Sequence, residues 1–190
     1  MSLLDRMLFD PLSVHRMANI LIAYSTTDGH TKEICLRIKE VIEPSHRVTL
    51  LPLAECTAND LQAFDTIVIG ASIRYGKHRP QVIAFINQNA RVLDSKSNAF
   101  FSVNVVARKP EKNKPETNPY LQKFLRQIAW KPKHLAVFAG KLNYPSYRFF
   151  DRTMIRFIMW MTKGPTDTRN IYEFTDWKQV EDFGRQVSRM

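Results

Sequence analysis

The chain reads as a doubly wound α/β domain built on a parallel sheet of five strands. Two observations predict this. Strand-like and helix-like segments alternate five times. The clearest strand segments are continuous apolar runs, as in residues 20–24 (ILIAY), 66–71 (TIVIGA) and 99–103 (AFFSV). Strands of that kind are buried on both faces, which requires helices on each side of a parallel sheet. A third observation says where a ligand would sit. Ligands in such sheets lie beyond the C-terminal strand ends, and three of those ends run into unusual loops, residues 25–31, 72–79 and 102–114.

The first strand empties through Ser25, Thr26, Thr27, Asp28, Gly29, His30 and Thr31 into a helix expected at 31–43. That helix is apolar at Ile34, Cys35, Ile38, Val41 and Ile42 and is stopped by Pro44. Hydroxyls and free backbone N–H groups at a helix start converge on an anion, and the helix dipole favours negative charge there. The turn has neither the Gly-Lys-Ser/Thr of a P-loop nor the three glycines of a dinucleotide turn. It suits a single terminal monophosphate; the plainer alternative is a capping turn.

The second strand is expected at 47–51 and a short helix at 57–64. The third strand, 66–71, leads to the second loop, and Pro80 opens a helix reaching about residue 93, with Val82, Ile83, Phe85 and Ile86 inward. The fourth strand, 99–103, leads to a basic loop long enough to be functional. Pro119 then starts a helix to about residue 130, with Asn118 as its cap. After a fifth strand at 135–139 the alternation breaks. Residues 141–170 hold an aromatic loop (Tyr144, Pro145, Tyr147) and a helix at 149–161. The sheet is expected to resume at 171–174, before a last helix that starts at Trp177 and is capped by Asp176.

With 190 residues, 44% of them hydrophobic, the chain suits one domain with a sizeable core. Cys35 and Cys56 lack metal-ligand spacing and suggest no disulfide framework, which favours a reducing compartment. No metal site is expected. The net charge of +10 is confined: residues 104–170 hold 14 of the 28 Lys and Arg but 4 of the 18 Asp and Glu. The whole excess therefore lies in that third of the chain, which points to an anionic partner. Residues 1–18 form an extension before the domain at 19–190. They either line a short helix with Leu3, Leu4, Met7, Leu8 and Leu12 or precede a natural start at Met17, and the second reading is preferred.

The motifs STTDGHT (25–31), GASIRYG (70–76), SVNVVARKPEKNKPETNPY (102–120), YPSYRFFDRTMIRFIM (144–159) and TDTR (166–169) together carry a family resemblance. The chain resembles the flavodoxin-like, FMN-dependent protoporphyrinogen IX dehydrogenases of haem biosynthesis, which pass electrons to a quinone. The resemblance implies a flavodoxin-like sheet of order 2-1-3-4-5 with a long insertion splitting strand five. It also implies FMN bound by Ser25, Thr26, Thr27, Gly29, His30 and Thr31 at the phosphate. The flavin ring would lie between Ser72, Ile73, Arg74 and Tyr75 on one side and Ser102, Val103 and Asn104 on the other. Asp28 departs from the usual threonine there and is expected to turn away from the anion. Arg74, Lys77, His78 and Arg79 in the second loop and Arg108, Lys109 and Lys112 in the third are candidates for the propionates of protoporphyrinogen IX, with Arg74, His78, Arg108 and Lys109 put first, and menaquinone or ubiquinone would accept the electrons. Electron-carrier flavodoxins usually sandwich the ring between two aromatics. Here only Tyr75 is offered, leaving a face for a flat substrate.

Two other classes remain open at this level: an NAD(P)H:quinone oxidoreductase or flavodoxin-type carrier, and a nucleic-acid binder. The basic balance opposes the carrier, and no nucleic-acid recognition motif is present. Within 148–163, Arg152 and Arg156 fall on one cationic stripe beside Phe157 and Trp160. A helix of that composition suits an anionic membrane surface, which would make the protein peripheral, on the cytoplasmic face of the inner membrane.

Overall fold

The structure is a computed structural model that describes residues 17–190; the extension assigned to 1–18 lies almost wholly outside these residues. Five parallel strands form the main sheet: β1 (Asn19–Ser25), β2 (Arg47–Pro52), β3 (Thr66–Arg74), β5 (Ser97–Val103) and β6 (His134–Phe138). Their order is β2-β1-β3-β5-β6, which is the expected 2-1-3-4-5 once the parallel strands alone are counted. A two-residue strand, β4 (Lys77–His78), folds back antiparallel on the end of β3, pairing Arg74 with Lys77.

Residues on the strands alternate between two apolar layers, as a period of two requires. Ile20 and Ile22 meet α1 (His30–Ile42) and α7 (Trp177–Val187) through Ile34, Ile38, Val180 and Phe183. Leu21 and Ala23 face the other layer, to which α2 (Ala58–Ala63), α3 (Pro80–Gln88), α4 (Ala90–Ser95) and α5 (Pro119–Leu125) contribute Leu61, Val82, Leu93 and Phe124. The sheet has no room for a side chain at Gly70. A Cβ there would lie 2.2 Å from the Phe101 ring of the neighbouring strand.

Several elements differ from expectation. β3 runs on to Arg74 and turns into β4 through Tyr75 and Gly76, both at positive φ (50° and 75°). The single helix expected from Pro80 is broken at Asn89, whose side-chain amide donates to the Phe85 carbonyl (2.8 Å); such local bonding competes with helix propagation. α5 stops at Leu125, short of Trp130. Residues 171–174 do not rejoin the main sheet. β8 (Ile171–Glu173) pairs antiparallel with β7 (Lys141–Asn143), closing the insertion at its base. Ile171 and Glu173 are exposed while Tyr172 turns inward, an alternation that suits a one-sided ladder rather than a strand buried on both faces.

Between β7 and β8 the chain forms α6 (Phe149–Met161). Leu142, Tyr144, Tyr147 and Met159 make a small core of their own, with Val105, Ile155, Ile158, Tyr172 and Phe174 against it. α6 therefore leans on the third loop, at the C-terminal edge of the sheet.

Candidate functional site

The first loop has the geometry of an anion cradle. Gly29 sits at φ 86°, donates its N–H to Thr26 Oγ1 (3.0 Å) and opens α1 without any side-chain cap. Its left-handed backbone needs glycine. The uncapped first N–H groups of α1 are placed to receive an anion. Thr31, 1% exposed, holds its Oγ1 buried with no hydrogen-bond partner. A buried hydroxyl without a partner is costly, and here it stands at the helix start, where the terminal phosphate of FMN would supply the missing acceptor. The residues present fit the group. Asp28 stays on the wall of the cavity above the cradle rather than turning out of it, and Arg74 meets its charge by binding both carboxylate oxygens (2.7 and 2.9 Å).

Above this cradle a cavity of about 910 Å³ opens among the three loops and α6. Thr26, Thr27, His30 and Thr31 line it, as do Ser72, Ile73, Arg74 and Tyr75 from the second loop and Val103 and Asn104 from the third. Ten of the thirteen expected cofactor residues thus reach one cavity. Ser25, Gly29 and Ser102 do not line it. Gly29 acts through its backbone, and Ser25 offers its carbonyl to Ser72. Ser102 is fully buried, hydrogen-bonded to His78 Nε2 (3.0 Å) behind the wall. His30 contributes no free imidazole to the cradle. Its Nδ1 is bonded to Glu33 (2.7 Å) and its Nε2 to Thr175 (2.6 Å), so only its backbone N–H is left for an anion. Glu33 also binds Lys141 (2.7 Å). Burial alone would raise the Glu33 carboxyl, but hydrogen bonds from Lys141 and His30 outweigh it and hold the group below the usual range.

The propionate candidates fare worse. His78 is buried against Phe100 and Phe124, and burial pushes its pKa down to about 4, so it is a neutral core residue. Arg108 donates to the Val105 carbonyl and to both the carbonyl and hydroxyl of Thr162 (3.0–3.1 Å), stapling the third loop to the end of α6. Lys109 is not on the cavity wall. Arg74 lines the cavity but is committed. Besides Asp28 it binds Asp151 at the start of α6 (3.0 Å), and its guanidinium lies 5.3 Å from the centre of the Tyr147 ring. Asp151 also accepts a hydrogen bond from the Tyr75 hydroxyl. That bond lowers the Asp151 carboxyl and raises the Tyr75 phenol. Tyr75 is thus held at the cavity mouth by the insertion itself.

Sequence reasoning missed Tyr120, Lys123, Lys141, Tyr147, Ile155 and Ile158 on the wall. For Ile155 and Ile158 the signal available was the second apolar stripe of α6, which the exposed stripe overshadowed. That exposed stripe is real: Phe149, Phe157 (52% exposed) and Trp160 (70%) face outward, and Phe150, Met154 and Met161 are exposed at the rim of the cavity. Arg152 does not join an outward cationic stripe. It donates to the Pro145 and Tyr147 carbonyls (3.3 and 3.1 Å) and holds the aromatic loop in place. Arg156 stays exposed.

A protoporphyrinogen IX dehydrogenase (quinone) of Escherichia coli (strain K12) is 43% identical over 171 residues, covering 90% of this chain and 94% of that protein. Residues 21–169 match the family described as Flavodoxin domain. The chain belongs to the flavodoxin-like protoporphyrinogen IX dehydrogenases. A protein of the same name from Leishmania major is 42% identical over 172 residues, covering 90% of this chain and 74% of its own length. Solved flavodoxins share the fold at low identity: one from Archaea has a TM-score of 0.54 at 15% identity, over 90% of this chain and 96% of its own. The two-electron reduced flavodoxin of Megasphaera elsdenii gives 0.55 at 12%, over 90% and 99%. In this chain α6 and its loops close one side of the cavity.

Proposed function

We propose that the protein oxidises protoporphyrinogen IX to protoporphyrin IX with FMN in the cavity, passing the electrons to a quinone. The observation that carries this, beside the kinship to proteins named for that reaction, is the form of the cavity. Its volume lies near the top of the usual range for one small ligand, about 300–1,000 Å³, and one wall is the apolar side of α6. Thr26, Thr27, Thr31 and the first N–H groups of α1 would hold the FMN phosphate. Tyr75 would cover one side of the ring, while Asn104 and Val105 leave the other side without an aromatic cover. Bound FMN supplies the two-electron acceptor that each of the three successive substrate oxidations needs. The protein's own part is to bind, orient and exclude water: Ile155, Ile158 and Met159 offer a dry surface against which a flat macrocycle can lie. A carrier would present an acidic face, whereas this cavity is lined by Arg74, Lys77, Lys123 and Lys141.

The same reading accounts for α6. Six large apolar side chains turned to solvent on one helix form a patch of the kind that marks an interaction surface. Arg148 and Arg156, both exposed, border them. That composition suits a helix lying in the headgroup plane of an anionic membrane, where a quinone is dissolved. No helix among the described residues is long and apolar enough to cross a membrane, so contact would be peripheral, at the cytoplasmic face.

Two measurements test these statements. Anaerobic addition of protoporphyrinogen IX to the FMN-loaded protein should bleach the flavin absorbance, and added quinone should restore it; no bleaching refutes the activity. In vesicle co-sedimentation, binding should need anionic lipid, weaken with salt and fall when Phe157 and Trp160 are both changed to Ser. Indifference to lipid charge and to that double change refutes the membrane role.

A further inference from the structure

Four Lys and Arg side chains line the cavity, and two of them are already neutralised. Arg74 is paired with Asp28 and Asp151, and Lys141 with Glu33. Lys77 and Lys123 also line the cavity, are exposed, and have no carboxylate partner among the described residues. Their placement follows from the backbone. Gly76, at φ 75°, brings the second loop so close to α5 that a Cβ would stand 3.0 Å from the Tyr120 ring. Lys77 follows Gly76 directly. Lys123 lies three residues beyond Tyr120, on the same face of α5. Lys77 and Lys123 therefore reach the cavity from the two segments that meet at Tyr120, on one lip. The lip contributed by α6 is apolar, with Phe150 and Met154 lining it.

Resting on the dehydrogenase reading above, we propose that Lys77 and Lys123 bind the two propionates of the substrate. A tetrapyrrole with both carboxylates on one edge and only alkyl and vinyl groups on the opposite edge matches a cavity with one cationic and one apolar lip. The lysines hold the carboxylate edge at the water-facing mouth beside Tyr120, and the alkyl edge turns toward α6. They touch substrate rather than flavin, so their removal leaves the cofactor in place. Carboxylate binding by unpaired, mobile ammonium groups is also sensitive to salt.

The test uses the FMN-loaded protein with two probes, protoporphyrin IX and its dimethyl ester, whose binding is followed by porphyrin fluorescence in dilute non-ionic detergent. The wild type should bind the diacid more tightly than the ester at low salt, and K77Q/K123Q should weaken the diacid about five- to thirtyfold, the loss of two exposed charge pairs. Ester affinity and FMN affinity should not move, KM for protoporphyrinogen IX should rise more than kcat falls, and K77R/K123R should restore the preference. A wild type that does not distinguish the probes, a variant that keeps the full preference, or an equal loss for diacid and ester overturns the assignment. A wild-type protein that binds the diacid through these lysines yet never oxidises protoporphyrinogen IX would instead overturn the activity on which the assignment rests.

Discussion

Thr31→Val makes opposite predictions for the empty and the loaded protein. The Thr31 hydroxyl is buried without a partner at the start of α1, so in the flavin-free protein it is a desolvated polar group. Such a group costs about 1–3 kcal/mol, and a methyl of nearly the same shape removes that cost. The flavin-free variant should therefore be more stable than wild type, by about 1 kcal/mol after allowing for imperfect replacement. With FMN the sign reverses. A hydrogen bond to a charged acceptor contributes about 1.5–3 kcal/mol, so FMN affinity should fall about ten- to 150-fold. Chemical denaturation of the flavin-free protein gives the first quantity, and quenching of FMN fluorescence on titration gives the second. Destabilised flavin-free protein with unchanged FMN affinity would show that the hydroxyl serves the helix and not a phosphate.

Three further outcomes follow from the geometry. Arg79 stands beside Thr27, with Nη2 3.4 Å from its hydroxyl, so R79Q should weaken FMN about two- to fivefold, the range of an exposed charge interaction. It should leave riboflavin binding unchanged, and equal effects on both ligands would place the arginine away from the phosphate. Asp151→Asn removes the carboxylate that raises the Tyr75 phenol. In that variant Tyr75 should titrate at lower pH, read against Y75F, and proteases should cleave residues 144–170 faster. His78 is held neutral, its pKa about 4 in the fold against 6.5 unperturbed. The unfolded chain therefore gains a proton first as pH falls. Stability is fully present above about 6.5 and declines by roughly 3 kcal/mol toward pH 4, levelling below that. His78→Phe should flatten this part of the denaturation profile.

The main sheet was legible because β1, β3 and β5 each carry a run of mostly apolar residues, buried on both faces. The cradle was legible because Ser25 to Thr31 combine hydroxyls with one glycine at a strand-to-helix turn. The roles of individual cations were not. Arg74, Arg108 and Arg152 look alike in a sequence, yet one bridges two aspartates, one staples a loop to a helix end, and one holds carbonyls of the aromatic loop. Arg74 meets aspartates 46 and 77 positions away and Arg108 a threonine 54 away, which no local pattern encodes, while Arg152 bends back on carbonyls 7 and 5 residues earlier. His78 was misjudged for a related reason. It sits in a basic, loop-like stretch, but the short hairpin formed by β4 turns its ring back into the core.

The ladder between β7 and β8 has a consequence for how this chain can change. Asn143 and Ile171 are direct partners, so the segment between them leaves the domain and returns to it at one doorway. Lengthening or shortening such an excursion is cheap, since each doubling of a flexible loop costs only about 0.6 kcal/mol in closure entropy. Nothing in β6 or α7 must shift when residues 144–170 are rebuilt. The arm is an exchangeable cassette: a graft between the same two ladder positions of another member could transplant its α6 wall while Thr26, Thr27 and Thr31 stay where they are. Arg74, Tyr75 and Arg108, which reach across to Asp151 and Thr162, would have to find new partners.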